Sequence, residues 1–221
     1  MSNLPNGHKN NPQIPNHHSK DHDTGWGNLP TPIDINKTLR VIGHNINGLE
    51  LYKPPNDQKT QQLLENSYTQ QAHVLLLQEN NIDFKNIETR LDWNLATKNY
   101  WTEHHSSHST STAAPRLGRH LPGGTTTSVL GEQSSRVIQS GTDATGMGRY
   151  SWVTLQGKEN RTITMISAYR VCSTKTAGPF TAYSQQAHIL SIRGKTNPDP
   201  RQEIIQDLID FIQKNKNQTT K

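Results

Sequence analysis

The run Val74-Leu75-Leu76-Leu77 constrains this chain more than any other feature. It is closed by Gln78-Glu79, is too short for a helix and does not alternate, so it reads as a strand buried on both faces. Such a strand must lie inside a sheet covered on both sides. Upstream, Thr38 to Asn45 is a short β-type run ending in Asn45-Ile46-Asn47-Gly48. Between the two, Leu63, Leu64 and Tyr68 fall at helical spacing within about residues 57–71. Strand, helix and strand at this separation make a βαβ unit with a parallel pair.

The remaining pattern continues an α/β chain. An amphipathic segment covers roughly 84–98, and a Ser/Thr/His/Pro-rich stretch from Glu103 to Leu121 reads as a loop. Strand-like runs follow at Gly124–Leu130, Arg136–Gln139, Arg149–Leu155 and Thr162–Ala168, the last two joined by the turn Gly157-Lys158-Glu159-Asn160. Two helices close the sequence, Ala182–Ile192 and Arg201–Lys214. In the second, Ile204, Ile205, Leu208, Ile209 and Ile212 share one face, which is expected to pack.

Residues 1–37 are rich in Asn, His, Pro, Gly and Asp and carry almost no aliphatic side chains, so they are expected to form a disordered polar arm. Its His17, His18 and His22 read as compositional bias rather than as a metal site. A folded domain is expected over 38–214, with a polar tail over 215–221. The chain has 23 Lys+Arg against 18 Asp+Glu, a formal charge of +5 and a pI near 9.3, a balance that favours an anionic partner such as nucleic acid. One cysteine, Cys172, excludes an intramolecular disulfide framework and is expected to be a buried thiol. No apolar leader and no run of about 20 apolar residues occurs, so the reading is an intracellular protein, nuclear or cytoplasmic, neither secreted nor in a membrane.

Three polar segments sit where strands are expected to end, which is where open α/β sheets bind ligands. They are His44-Asn45-Ile46-Asn47-Gly48, Leu77-Gln78-Glu79-Asn80 and Ile166-Ser167-Ala168-Tyr169-Arg170. Each has a plain structural explanation by itself: a turn, a strand-end residue, a half-buried aromatic. Their order is more specific. Together they resemble the endonuclease/exonuclease/phosphatase superfamily, in which an early strand ends in Asn, a second in Gln-Glu and a later one in Tyr or His. The middle of the chain, with Gly123-Gly124-Thr125 and Gly148-Arg149-Tyr150-Ser151-Trp152, is most similar to retrotransposon-associated members.

This resemblance implies a four-layer α/β sandwich and a metal-dependent endonuclease acting on DNA, tied to a reverse transcriptase by fusion or association. It implies Glu79 and Asn47 as ligands of Mg²⁺ (or Mn²⁺), and Asn45 and Tyr169 as catalytic residues. Hard oxygen ligands suit Mg²⁺, which keeps several waters, so one carboxylate can be its main protein anchor. Arg170 is a candidate for charge-assisted contact with DNA phosphate, with Arg149 and Arg136 as further candidates.

The superfamily's later Gly-Asp-Phe-Asn and Ser-Asp-His segments do not occur here. The resemblance therefore implies only the N-terminal portion of the fold, with an incomplete second half that leaves a sheet edge and an apolar face uncovered. It also implies impaired catalysis, which keeps a catalytically dead nucleic-acid-binding remnant as the alternative. A phosphatase-like relative is a third reading, less favoured by the middle segment.

Overall fold

The computed structural model describes residues 38–51, 57–112, 121–173, 178 and 181–218; the arm over 1–37, with its three histidines, lies outside them. Among the described residues seven strands and four helices follow one another in a mixed α/β order. They are β1 (Val41–Asn45), α1 (Gln58–Thr69), β2 (Val74–Gln78), α2 (Ile87–Lys98), β3 (His104–Ser109), β4 (Thr125–Leu130), β5 (Val137–Thr142), β6 (Tyr150–Gln156), β7 (Thr162–Ala168), α3 (Ala182–Ile192) and α4 (Pro200–Gln218). None of the helices is long and apolar enough to cross a membrane.

The strands form two sheets, ordered β1-β2-β4-β3 and β5-β6-β7. β1 and β2 pair in parallel, Val41 against Val74 through Asn45 against Gln78, around the α1 crossover. Alternation along β2 then assigns its two faces. Leu75 and Leu77 join Leu64 of α1 and Trp93 of α2 in one core, while Val74 packs with Val129, Val153 and Leu155 between the sheets. On the outer side of the second sheet, Phe211 of α4 packs against Tyr150 and Trp152. The four layers run helix, sheet, sheet, helix.

β4 carries Thr125-Thr126-Thr127-Ser128 and is buried along its whole length. A polar strand survives there because its hydroxyls are bonded. Thr125 donates to Ser151 Oγ at 3.1 Å, Thr127 to the Ser151 carbonyl at 2.9 Å, and Ser128 meets Ser106 at 2.7 Å. The upper part of the sheet interface is thus hydroxyl-lined and the lower part aliphatic.

Several expectations need correction. The stretch from Glu103 is not all loop: His104–Ser109 is β3, whose backbone finds its partners along β4, while 113–120 lie outside the described residues. Its histidines are structural. His108 stacks on Phe84 and meets Thr126 at 2.8 Å, and burial, then the charges of Arg90 and the neighbouring histidines, push its pKa down to about 3. The strand expected from Arg136 begins at Val137, after a 3-10 turn over Gly131–Arg136. Cys172 is exposed, because Val171 takes the inward position beside it. α4 continues to Gln218, past the expected start of a tail. Only Ile204 of its five-residue apolar face is buried; Ile205, Ile209 and Ile212 are 41–43% exposed. Contacts at Asp207 and Phe211 fix the helix's rotation and turn that stripe outward.

Among the described residues one flank of the second sheet is open. β7 lies beneath β2, β6 beneath β4 and β5 beneath β3, so β7 is an edge strand and β1 overhangs it. Val41 and Ile163 are exposed there, and a Cβ placed on Gly43 would meet nothing within 4 Å.

Arg149 is the opposite of its sequence reading. It is fully buried, at 2.8 Å from Asp143 and 2.5 Å from Asp207, and so cannot reach a phosphate from solvent. Arg136 donates to the Gln156 carbonyl at 2.8 Å, beside the hairpin at the far end of the sheets. Burial by itself would raise the Asp143 pKa, but hydrogen bonds and charge from Arg149, with Thr145, hold it below the usual carboxylate value. Removing one member of a buried pair strands the other, so Arg149→Ala and Asp143→Ala should each cost about 3–5 kcal/mol in urea denaturation. Asp207→Ala should cost less, because that side chain is 29% exposed. A carboxyl depressed on folding stabilises above its unfolded pKa. Stability of the wild type should therefore fall as pH drops below about 4, and more steeply than in Asp143→Asn.

Candidate metal and phosphate site

The ends of β1, β2 and β7 meet at one end of the two sheets. The loop after β1 is fastened to the backbone after β2: Ile46 N–H donates to Gln78 O at 3.0 Å, Gly48 N–H to Glu79 O at 2.7 Å and Leu49 N–H to Asn80 O at 2.8 Å. Asn47 (φ 47°) and Gly48 (φ 96°) both adopt left-handed backbone there, as an Asn-Gly turn permits. Within the loop, Asn45 Oδ1 accepts from Asn47 N–H at 3.2 Å, and Lys59 Nζ donates to the Asn47 carbonyl at 3.0 Å. Asn45 thus shapes the turn, and both asparagines are exposed.

Glu79 also has a left-handed backbone, with φ 55°. That conformation is uncommon outside Gly, Asn and Asp, and it concentrates at functional positions. Its neighbours lock it in place. Asn80 N–H donates to the Gly124 carbonyl at 3.3 Å, and Asn81 N–H to that of Gly123 at 2.8 Å, while Gly123 N–H returns to Asn81 Oδ1 at 2.8 Å. Asn81 was not singled out from the sequence; the signal available was a third polar residue after a buried strand, which does not specify a clasp.

Tyr169 completes the cluster. Its hydroxyl donates to Glu79 Oε1, and its N–H donates to the Arg149 carbonyl at 2.8 Å. Ser167, two residues earlier, donates to the Leu77 carbonyl at 2.8 Å and accepts from Gln78 Nε2 at 3.0 Å, which fixes β7 against β2. Gly123 makes room for the ring: a Cβ there would lie 3.7 Å from it and 3.2 Å from Ala182 Cβ. Burial first, then the hydrogen bond and charge of Glu79, push the Tyr169 pKa up. The phenol therefore stays protonated and acts as a donor, not as a base. Arg170 is exposed, with Nε at 3.1 Å from the Arg201 carbonyl.

The structure thus joins Glu79 to Tyr169 by a side-chain contact and to the Asn45–Asn47 loop through backbone bonds. Arg170 follows directly at the rim, and Arg149 supports Tyr169 from inside. Among the described residues no cluster of three or more His, Cys, Asp or Glu could hold a metal. The available donors are one carboxylate and amides. That hard-oxygen set fits Mg²⁺ or Mn²⁺ that keeps most of its waters, and does not fit zinc.

No protein-family model matches the chain, and no curated protein does. Among solved structures, it is similar to the human Nocturnin catalytic domain with bound sulfate anion (17% identity, TM-score 0.40, 70% of this chain and 57% of that one). It is also similar to an AP endonuclease from Leishmania major (19%, TM-score 0.41, 60% and 40%). A third is an endonuclease/exonuclease/phosphatase family protein from Leptotrichia buccalis (13%, TM-score 0.39, 73% and 64%). The chain spans between 40% and 64% of the length of these three.

The left-handed backbone at Glu79 has a direct test. Glu79→Ala and Glu79→Gly both lose the bond to Tyr169, so their difference isolates the backbone. Glycine should be the more stable replacement by about 1 kcal/mol, the reverse of its usual ranking against alanine. Urea midpoints in which the alanine variant is the more stable would show that the conformation carries no strain.

Proposed function

We propose that this chain is a divalent-metal-dependent phosphodiester hydrolase domain of the endonuclease/exonuclease/phosphatase kind, acting on DNA and of mobile-element descent. The observation that carries the reading is the convergence of Tyr169 and the Asn47–Gly48 turn on Glu79, a carboxylate held in left-handed backbone at a strand end.

In this reading Glu79 and the Asn47 amide hold Mg²⁺ or Mn²⁺. One Glu79 oxygen takes the Tyr169 hydroxyl, which leaves the other for the ion. Bound there, the ion supplies positive charge to the phosphodiester and acidifies a coordinated water. Tyr169 keeps its proton and orients the carboxylate in the free protein; when DNA is present the same O–H turns from Glu79 to a phosphate oxygen. Asn45 sets the turn that presents the Asn47 amide to the ion, and Arg170 contacts the DNA backbone. Resemblance of the middle segment to retrotransposon-associated domains supports DNA over a phosphoinositide substrate, and a reverse transcriptase as the associated protein.

A second reading is favoured by one fact. The sequence holds no Gly-Asp-Phe-Asn and no Ser-Asp-His segment, so the acidic and histidine groups that complete the superfamily's chemistry are not among these residues. The chain by itself is then a metal- and DNA-binding remnant. Mn²⁺ should raise the melting temperature of the wild type, and Glu79→Gln should remove that rise with an unchanged circular dichroism spectrum. Plasmid nicking in Mg²⁺ should be slight or undetectable. Absence of any Mn²⁺-dependent rise in the wild type would sink the metal assignment, whereas robust nicking that Glu79→Ala abolishes would sink the remnant reading.

A further inference from the structure

Beside the site lies a cavity of about 520 Å³, whose lining includes Lys85, Arg90, Ser109, Thr110, Thr112 and Asp143. No motif in the sequence pointed to it, because its walls come from the first turn of α2 and the segment before it, the end of β3 and the turn after β5. Its character is set by hydroxyls and two cations. The lone carboxylate among these is already neutralised: Asp143 Oδ2 accepts from Arg149 Nε at 2.8 Å, and Oδ1 accepts from Arg149 and from Thr145 N–H at 2.9 Å. Phe84 also lines the cavity, but His108 occupies the face of its ring at a centroid distance of 3.8 Å.

We propose that this cavity is a phosphate subsite that grips the nucleic-acid backbone next to the phosphodiester held at Glu79. The inference rests on the DNA reading given above and adds a second contact point to it. Three observations carry it. The cavity adjoins the site: a Cβ on Gly124 would lie 3.8 Å from Asn80 Cβ and 3.9 Å from Thr110 Cγ2, so one glycine separates the residue after Glu79 from the cavity wall. Its donors suit an anion, since Lys and Arg ammonium and guanidinium groups with Ser and Thr hydroxyls are what phosphate oxygens accept from. Its cations and hydroxyls favour a phosphate over a base, since Phe84 and His108, the aromatic side chains of the lining, already stack on each other.

The test is fluorescence anisotropy with a fluorescein-labelled DNA duplex in EDTA, over a series of KCl concentrations, which keeps metal chemistry out of the readout. Lys85 and Arg90 are both exposed, so K85A/R90A should fold as the wild type does. Each lost phosphate contact lowers the slope of log K against log salt by about 0.9, so the double variant should lose about 1.8. K158A/R161A removes the same charge from the hairpin at the far end of the sheets, where Arg161 is 82% exposed, and should leave the slope unchanged. Equal losses in both variants, or no loss in K85A/R90A while the wild type binds, would overturn the subsite alone. No salt-dependent binding by the wild type would overturn the subsite and the DNA reading together.

Discussion

Everything at the functional end depends on where β7 sits against β2, and a single hydroxyl sets that position. Ser167 donates to the Leu77 carbonyl and accepts from the Gln78 amide, bridging the two sheets just below their polar ends. Tyr169 follows two residues later and so reaches Glu79. An aliphatic residue at 167 would pack with less directional preference. A hydrogen bond in a buried site fixes distance and angle at once, and it is costly to leave unmade. The same logic runs through β4, whose buried threonines tie the first sheet to Ser151.

Rigidity beneath the site comes from ions as well. Arg149 lies buried between Asp143 and Asp207, and its carbonyl accepts the Tyr169 N–H. Such a pair adds little net stability over an apolar core but ties three distant segments to one register. It joins β6, the turn after β5 and α4. The contrast with the opposite flank is physical. There, among the described residues, β7 has no strand on its outer side, nothing lies within 4 Å of a Cβ placed on Gly43 of β1, and α4 turns Ile205, Ile209 and Ile212 outward. The functional end is closed by polar clasps, while the side of the second sheet is left as an edge.

Strand–helix–strand at the start was legible because burial and periodicity are local properties. Val74 to Leu77 could only be an inner strand, and Gly157 to Asn160 could only be a turn between paired runs. What could not be read were features that depend on a partner distant in sequence. Nothing in His104-His105-Ser106-Ser107-His108-Ser109 is strand-like by composition, yet β4 supplies the pairing and Asn94, Ser140 and Thr126 take its imidazoles. Arg149 looked like a surface cation because charge is the only thing a sequence shows of an arginine. Its two carboxylates stand 6 residues before it and 58 residues after it.

The sequence by itself determined the α/β order, the parallel first pair and the three strand ends that carry Asn45, Glu79 and Tyr169, since alternation, apolar runs and turn residues are written in neighbouring positions. Tertiary structure alone decided that the Tyr169 hydroxyl lands on Glu79, that Glu79 takes left-handed backbone, and that Arg149 turns inward. The Arg149–Asp207 and Tyr169–Glu79 contacts among them cross 58 and 90 residues of chain. Local propensity has no term for them, because a side chain's direction and charge state are fixed by whatever the fold brings against it.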